Sequence, residues 1–184
     1  MKSYQDVIVA GFGGQGVMLI GTLLAYAAME DGQNVTYLPV YGPEMRGGTA
    51  NCTVVISKED IGSPIIHLPR SLIAMNRPSL DKFQPRVQNG GTVIINSSLV
   101  DMELADADRL NVVGIPANEI ADSLGNTRMA NMVAIGAYVQ LTGVMPLNVL
   151  KASLQKVISP NYAKMIPSNE KAIQAGAEAA RAGK

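Results

Sequence analysis

Apolar positions along this chain change spacing several times, from short continuous runs to longer stretches with helical periodicity. Asp6-Val7-Ile8-Val9-Ala10 is a β-branched run ending in glycines, and Val17 to Met29 carries Met18, Leu19, Leu23, Leu24, Ala27 and Ala28 at helical spacing. This predicts strand, tight turn and helix. A second strand, Asn34 to Tyr41, follows the Asp31-Gly32 stop, and a third is expected over Asn51 to Ser57. Between them Tyr41-Gly42-Pro43-Glu44-Met45-Arg46-Gly47-Gly48 reads as a loop, because Pro and three glycines favour turns.

Further strands are expected over Ser71 to Met75, Thr92 to Asn96 and Asn111 to Ile115, with a short helix starting near Pro78, which suits a first helical position. The rest reads as helices over Asn118 to Leu124, Thr127 to Leu141 with Gly143 as a stop, Pro146 to Ile158 and Ser168 to Arg181. Pro160 and Pro167 bracket a segment, Ser159 to Pro167, expected to be a hinge loop. Strands alternating with helices imply an α/β, three-layer α/β/α domain with a mostly parallel, Rossmann-like sheet and a helical C-terminal part. The 184 residues suit one domain over 1–184, with the C-terminal helix 168–182 packed on it or on a partner.

Composition narrows the function classes. The chain balances 15 Lys and Arg against 15 Asp and Glu without a basic cluster, so nucleic acid and anionic membrane surfaces, which demand concentrated positive charge, are set aside. Charged residues make up only 16% of the chain, against about 25% in an average soluble domain. Part of that deficit is expected to be partner interface: an apolar patch larger than the roughly 300–600 Å² usual for a monomer, exposed when the chain is alone or covered by a second copy. Val7 to Met29 holds no charge, but its glycines split it into a strand and a helix rather than a membrane span. The N-terminus does not read as a signal peptide, so the cytoplasm is the expected location. A single cysteine, Cys52, cannot make an internal disulfide, a thiolate zinc site or an iron–sulfur cluster, and reads as a small core residue.

Two loops carry the candidate chemistry. Gly11-x-Gly13-x-x-Gly16 lies between strand and helix, where such spacing lets backbone approach a diphosphate at a helix N-terminus; equally, it makes a tight turn and nothing more. The acid that a dinucleotide site wants at the end of the second strand is missing from Leu38-Pro39-Val40-Tyr41, and Val17-Met18 stand where a nucleoside triphosphate loop needs Lys and Ser or Thr. The second loop offers Glu44 and Arg46 between Gly-Pro and Gly-Gly, either as an anion clamp or as a self-satisfied exposed ion pair. Both loops follow strands, so both are expected at the carboxyl edge of the sheet, facing one site. His67 lacks neighbouring ligands or bases and is assigned no role. The helix Met129 to Leu141 has no charge and reads as buried all round, either at the centre of the domain or with Ala130, Ala134, Gly136 and Ala137 meeting a partner chain. Its odd member, Asn131, must find partners and is expected to cap loop backbone near the glycines.

Gly-Phe-Gly-Gly-Gln-Gly-Val at 11–17, Tyr-Gly-Pro-Glu-Met-Arg-Gly-Gly at 41–48 and Asn131 to Ala137, in this order, resemble the gamma subunit of 2-oxoacid:ferredoxin (acceptor) oxidoreductases over essentially the whole chain. The resemblance implies oxidative decarboxylation of a 2-oxoacid, 2-oxoglutarate first and then a branched-chain 2-oxoacid or pyruvate, to an acyl-CoA. Thiamine diphosphate and Mg²⁺ are then expected on alpha and beta subunits and iron–sulfur clusters on beta or a ferredoxin-like delta subunit, with ferredoxin as electron acceptor; this chain is expected to be inactive alone, where a homodimer is one possible state. The site residues so implied are Gly11, Gly13, Gly14, Gln15, Gly16, Tyr41, Glu44, Arg46, Gly47 and Asn131, as part of the wall over the thiamine or CoA channel, with no catalytic or metal-binding residue. An independent NAD(P)- or flavin-binding oxidoreductase and a purely structural assembly subunit are the alternatives.

Overall fold

The computed structural model of the chain describes residues 4–40 and 49–183. Its elements run β1 (Tyr4–Phe12), α1 (Val17–Glu30), β2 (Asn34–Val40), β3 (Thr49–Ser57), β4 (Ser71–Ala74), α2 (Arg77–Phe83), β5 (Thr92–Asn96), β6 (Asn111–Ile115), α3 (Ala117–Ser123), α4 (Ala130–Thr142), α5 (Leu147–Val157) and α6 (Ile166–Ala182). The strands form a six-stranded sheet in the order β2-β3-β1-β4-β5-β6. β1, β4, β5 and β6 pair in parallel, while β3 runs against both β1 and β2. β1, β2, β4, β5 and β6 thus run the same way, as the mostly parallel three-layer expectation has it, and the exception is β3, inserted antiparallel between β1 and β2, the two strands that α1 connects.

Strand alternation sorts the core into two layers. Val7, Val9, Cys52, Val54, Ile56 and Ile73 face α1, α4, α5 and α6, whereas Ile8, Ala10, Leu72, Ala74, Val93 and Ile95 face Leu80 and Phe83 of α2. On that second face Leu38, Val40 and Phe12 stand exposed. No helix among the described residues is long and apolar enough to cross a membrane.

Two boundaries differ from expectation for identifiable reasons. β1 runs on through Gly11 and Phe12 because β3 continues to pair with them, Gly11 opposite Ala50 and Phe12 opposite Thr49. The expected hinge is instead a 3₁₀ turn, Pro160–Met165, leading directly into α6, with Pro167 in the first turn of that helix, where a missing N–H costs no hydrogen bond. α6 then packs on α4 so closely that a Cβ on Gly136 would overlap the carbonyl of Ile173, and one on Gly176 the carbonyl of Val133. The small residues of α4 thus meet a helix of the same chain, which decides between the two readings of that stripe. Thr127–Met129, expected as helix α4, is a 3₁₀ turn capped by Asn126, whose Oδ1 accepts from Arg128 N at 3.1 Å.

At the amino edge of the sheet, buried Asp6 accepts a 2.6 Å hydrogen bond from Arg70 N, and the Arg70 guanidinium lies 4.7 Å from the Tyr4 ring centre. Desolvation raises the Asp6 pKa above the usual carboxylate value, outweighing the hydrogen bonds that lower it. A raised folded-state pKa contributes stability that is present below the unfolded pKa and is lost as pH rises through the folded one. Asp6→Asn, which keeps an oxygen for Arg70 N–H, is therefore expected to gain stability relative to wild type as pH climbs from about 4 to 7. Urea melts across that range check the sign; a difference that stays flat or runs the other way refutes the assignment.

Candidate functional site

The glycine turn is held rigid from the far side of β4. Phe12 N donates to Gln15 Oε1 at 2.6 Å, Asn76 Nδ2 donates to the same oxygen at 3.1 Å, and Gln15 Nε2 donates to Met75 O at 3.0 Å. Asn76 also caps α2, accepting from Ser79 N at 2.9 Å. Gln15, expected among the binding residues, thus spends both ends of its amide on bracing the turn. Gly13 and Gly14 remain exposed beyond that brace.

Gly16 occupies the N-cap position of α1 with φ 73°, and no side chain caps the helix or places an acid in its first turn. The left-handed φ favours glycine, and space demands it as well, because a Cβ there would overlap the Asn131 amide nitrogen. α4 starts beside that contact, also without a side-chain N-cap or a first-turn acid. The start of α1 therefore offers a partial positive charge and unbonded N–H groups, whereas the 3₁₀ turn that leads into α4 is capped by Asn126, with Ala130 N bonded to Thr127 O.

Asn131 sits at the junction, 5% exposed. Its Oδ1 accepts from Met132 N at 3.0 Å, so it serves its own helix rather than loop backbone, which corrects the sequence expectation while keeping its place beside Gly16. Its Nδ2 donates to no acceptor among the described residues. Two clefts meet there. One of about 200 Å³ is lined by Gly14, Gln15, Met75, Asn118, Thr127, Arg128, Ala130 and Asn131. The other, about 640 Å³, shares Arg128 and Asn131 and continues toward Tyr162 and Lys164. An amide N–H₂ that faces the clefts beside the uncapped start of α1 fits an anionic ligand, and phosphate oxygens suit it.

Tyr41, Glu44, Arg46 and Gly47 lie outside the described residues. The residues bracketing them, Val40 at the end of β2 and Thr49 at the start of β3, are at the same sheet edge as Phe12, which pairs with Thr49. Cys52 is no nucleophile: burial pushes its thiol up to about 12. His67 is exposed in the segment leading into β4, at the opposite edge from the glycine turn. Among the described residues, no group of three His, Cys, Asp or Glu is placed to hold a metal. Asn76, Asn118, Thr127, Arg128 and Lys164 were not singled out by sequence, since each gains its place only through contacts between distant segments.

Residues 6–179 match the family described as pyruvate ferredoxin/flavodoxin oxidoreductase. The chain is 41% identical over 178 residues to the ketoisovalerate oxidoreductase subunit VorA of Methanothermobacter marburgensis, covering 95% of this chain and 36% of that relative, so it spans about a third of the longer protein. It is 35% identical over 180 residues to the 2-oxoglutarate synthase subunit KorC of the same organism, covering 95% of each. The keto/oxoacid ferredoxin oxidoreductase gamma subunit of Geobacter sulfurreducens superposes with a TM-score of 0.82 at 29% identity, covering 97% of this chain and 99% of that one.

Proposed function

We propose that this chain, which belongs to the pyruvate ferredoxin/flavodoxin oxidoreductase family, is the gamma subunit of a 2-oxoacid:ferredoxin oxidoreductase and binds the coenzyme A that accepts the acyl group. The observation that carries the reading is the junction at Asn131: the uncapped N-terminus of α1, the exposed backbone of Gly13 and Gly14, and an amide N–H₂ that lines both clefts and has no acceptor among the described residues. This arrangement favours a diphosphate without contributing an acid, a base or a nucleophile. Its part in the reaction is to hold and orient the acyl acceptor.

Bound by alpha and beta subunits, thiamine diphosphate with Mg²⁺ would supply the carbanion stabilisation that decarboxylation requires, and iron–sulfur clusters on beta or a delta subunit would supply the electron route to ferredoxin. This chain lowers the barrier only through positioning, converting an encounter between thiol and acyl donor into a preorganised approach. The near-complete mutual coverage with KorC supports 2-oxoglutarate as the substrate. The higher identity to VorA favours a branched-chain 2-oxoacid as the second reading.

Arg46, from the segment between β2 and β3, is assigned to an anionic group of the coenzyme. In the reconstituted complex Arg46→Ala is expected to raise the KM for CoA about tenfold or more, the worth of one charge-assisted hydrogen bond of about 1.5–3 kcal/mol. Unchanged KM and turnover would sink that assignment. A thermal-shift titration of the chain separates the readings: a ligand at 100 times its dissociation constant stabilises by about 2.7 kcal/mol, so a shift with NAD, NADP or FAD and none with CoA would favour an independent dehydrogenase.

A further inference from the structure

β6 ends the sheet on the side away from β2, and its outer edge is open. Asn111 N donates to Gly91 O and Ile115 O accepts from Ser97 N, so the peptide groups of Asn111, Val113 and Ile115 turn toward β5. Those of Val112 and Gly114 turn outward, since a parallel ladder engages every second residue. Neither has a hydrogen-bond partner for its N–H or C=O among the described residues. The opposite edge, β2, carries Pro39, which blunts an edge because it offers no N–H. β6 reads Asn-Val-Val-Gly-Ile, without proline or charge.

A groove of about 520 Å³ follows this edge where the two core layers end. Val113 and Leu141 wall it on the α4 side, and Leu110 and Val112 on the other. Gly114 adds no side chain to the edge, and the Met102 sulfur lies over it. Unpaired peptide groups between two apolar walls match an extended backbone, which offers donors and acceptors at the same spacing and sends alternate side chains to the two walls.

Charge narrows the occupant. Between Asp101 and Glu119 stand five acids and one base, Arg109, which pairs with Asp106 at 2.8 Å. Asp101, Glu103, Asp108 and Glu119 are exposed and form no salt bridge among the described residues, in a chain that is neutral as a whole. Met102 over Gly114 and Ala107 in the groove bring Glu103 and Asp108 beside the edge. A second copy set edge to edge would bring the same acids against these, whereas a segment flanked by Lys or Arg complements them.

We propose that the open edge of β6 receives an extended segment of another subunit of the complex, apolar at its centre and flanked by Lys or Arg, which continues the sheet as a further strand. The inference rests on this chain being a subunit, not on the coenzyme site. Amide hydrogen exchange resolved to single residues, on the chain alone and in the reconstituted complex, tests it. In the chain alone Val112 and Gly114 are expected to exchange faster than Asn111, Val113 and Ile115, whose amides bond to β5. In the complex both are expected to slow by about fivefold or more, as one added backbone hydrogen bond gives. Glu103→Lys combined with Asp108→Lys, both at exposed positions, is expected to reverse most of that slowing. A complex that forms with these two amides unchanged overturns the inference and leaves the subunit reading standing; failure of the chain to join the complex overturns both. Slowing that appears in the isolated chain as its concentration rises assigns the edge to a second copy and overturns the partner segment, as does slowing that the charge-reversed variant keeps in full.

Discussion

Replacing Gly136 or Gly176 by alanine is expected to destabilise the protein by about 1–2 kcal/mol, although helix propensity alone argues for a gain. Alanine in a helix interior is favoured over glycine by about 1 kcal/mol. Against this stands steric overlap: each added Cβ would fall inside the van der Waals radius of a backbone carbonyl on the facing helix, Ile173 for Gly136 and Val133 for Gly176. Backbone cannot rotate away as a side-chain tip can, so α4 and α6 must separate, and overpacking of this kind costs about 1–3 kcal/mol, occasionally more. α4 is buried along nearly its whole length, so the separation is felt in the core above the sheet. The double variant is expected to lose less than the sum of the singles, because one displacement relieves both clashes. Urea denaturation of the three variants decides it: a stabilised single variant would mean that the helices are not so closely apposed.

That contact also shows where reading the sequence stops. The strands were legible because their β-branched runs are continuous and bounded by glycine or proline, and β5 and β6 fall where expected. α1 was legible from its periodicity and from the Asp31-Gly32 stop, at which Gly32 N donates to Met29 O and Gln33 N to Ala28 O. The small-residue stripe on α4 was visible, but its partner was not, since the facing glycine lies forty positions later with nothing local to link the two. The reversed direction of β3 was hidden for a related reason. Strand patterning specifies which side chains face inward but not which neighbour supplies the hydrogen bonds.

The site divides in the same way. Asn131 stood out because a lone amide in an apolar helix must be accounted for, and the structure places it against Gly16. Gln15 looked like a ligand contact because it lies inside the glycine motif, yet its bracing role depends on Met75 and Asn76, about sixty residues away. Arg128 and Lys164 are solitary cations with no periodicity to mark them, and only the clefts bring them to one place.

Gly16→Ala is expected to have the largest effect at the site, on stability and on coenzyme binding together. An alanine held at φ 73° costs roughly 1–2 kcal/mol, and the overlap of its Cβ with the Asn131 amide adds about 1–3 kcal/mol of overpacking. The first cost is local and cannot be relieved from elsewhere. The second is relieved by Asn131→Ala, which removes the offending amide, so the double variant should be more stable than Gly16→Ala alone by about 1 kcal/mol, a coupling ordinary for residues in contact. Binding should behave differently. Asn131→Ala alone removes the donor proposed for the coenzyme and is expected to weaken CoA by at least about tenfold, the worth of one hydrogen bond to a charged group. The double variant should therefore recover stability without recovering affinity, which a loss caused only by unfolding cannot imitate. If CoA affinity returned with stability, the Gly16–Asn131 contact would be a packing device, and the coenzyme would have to be held elsewhere.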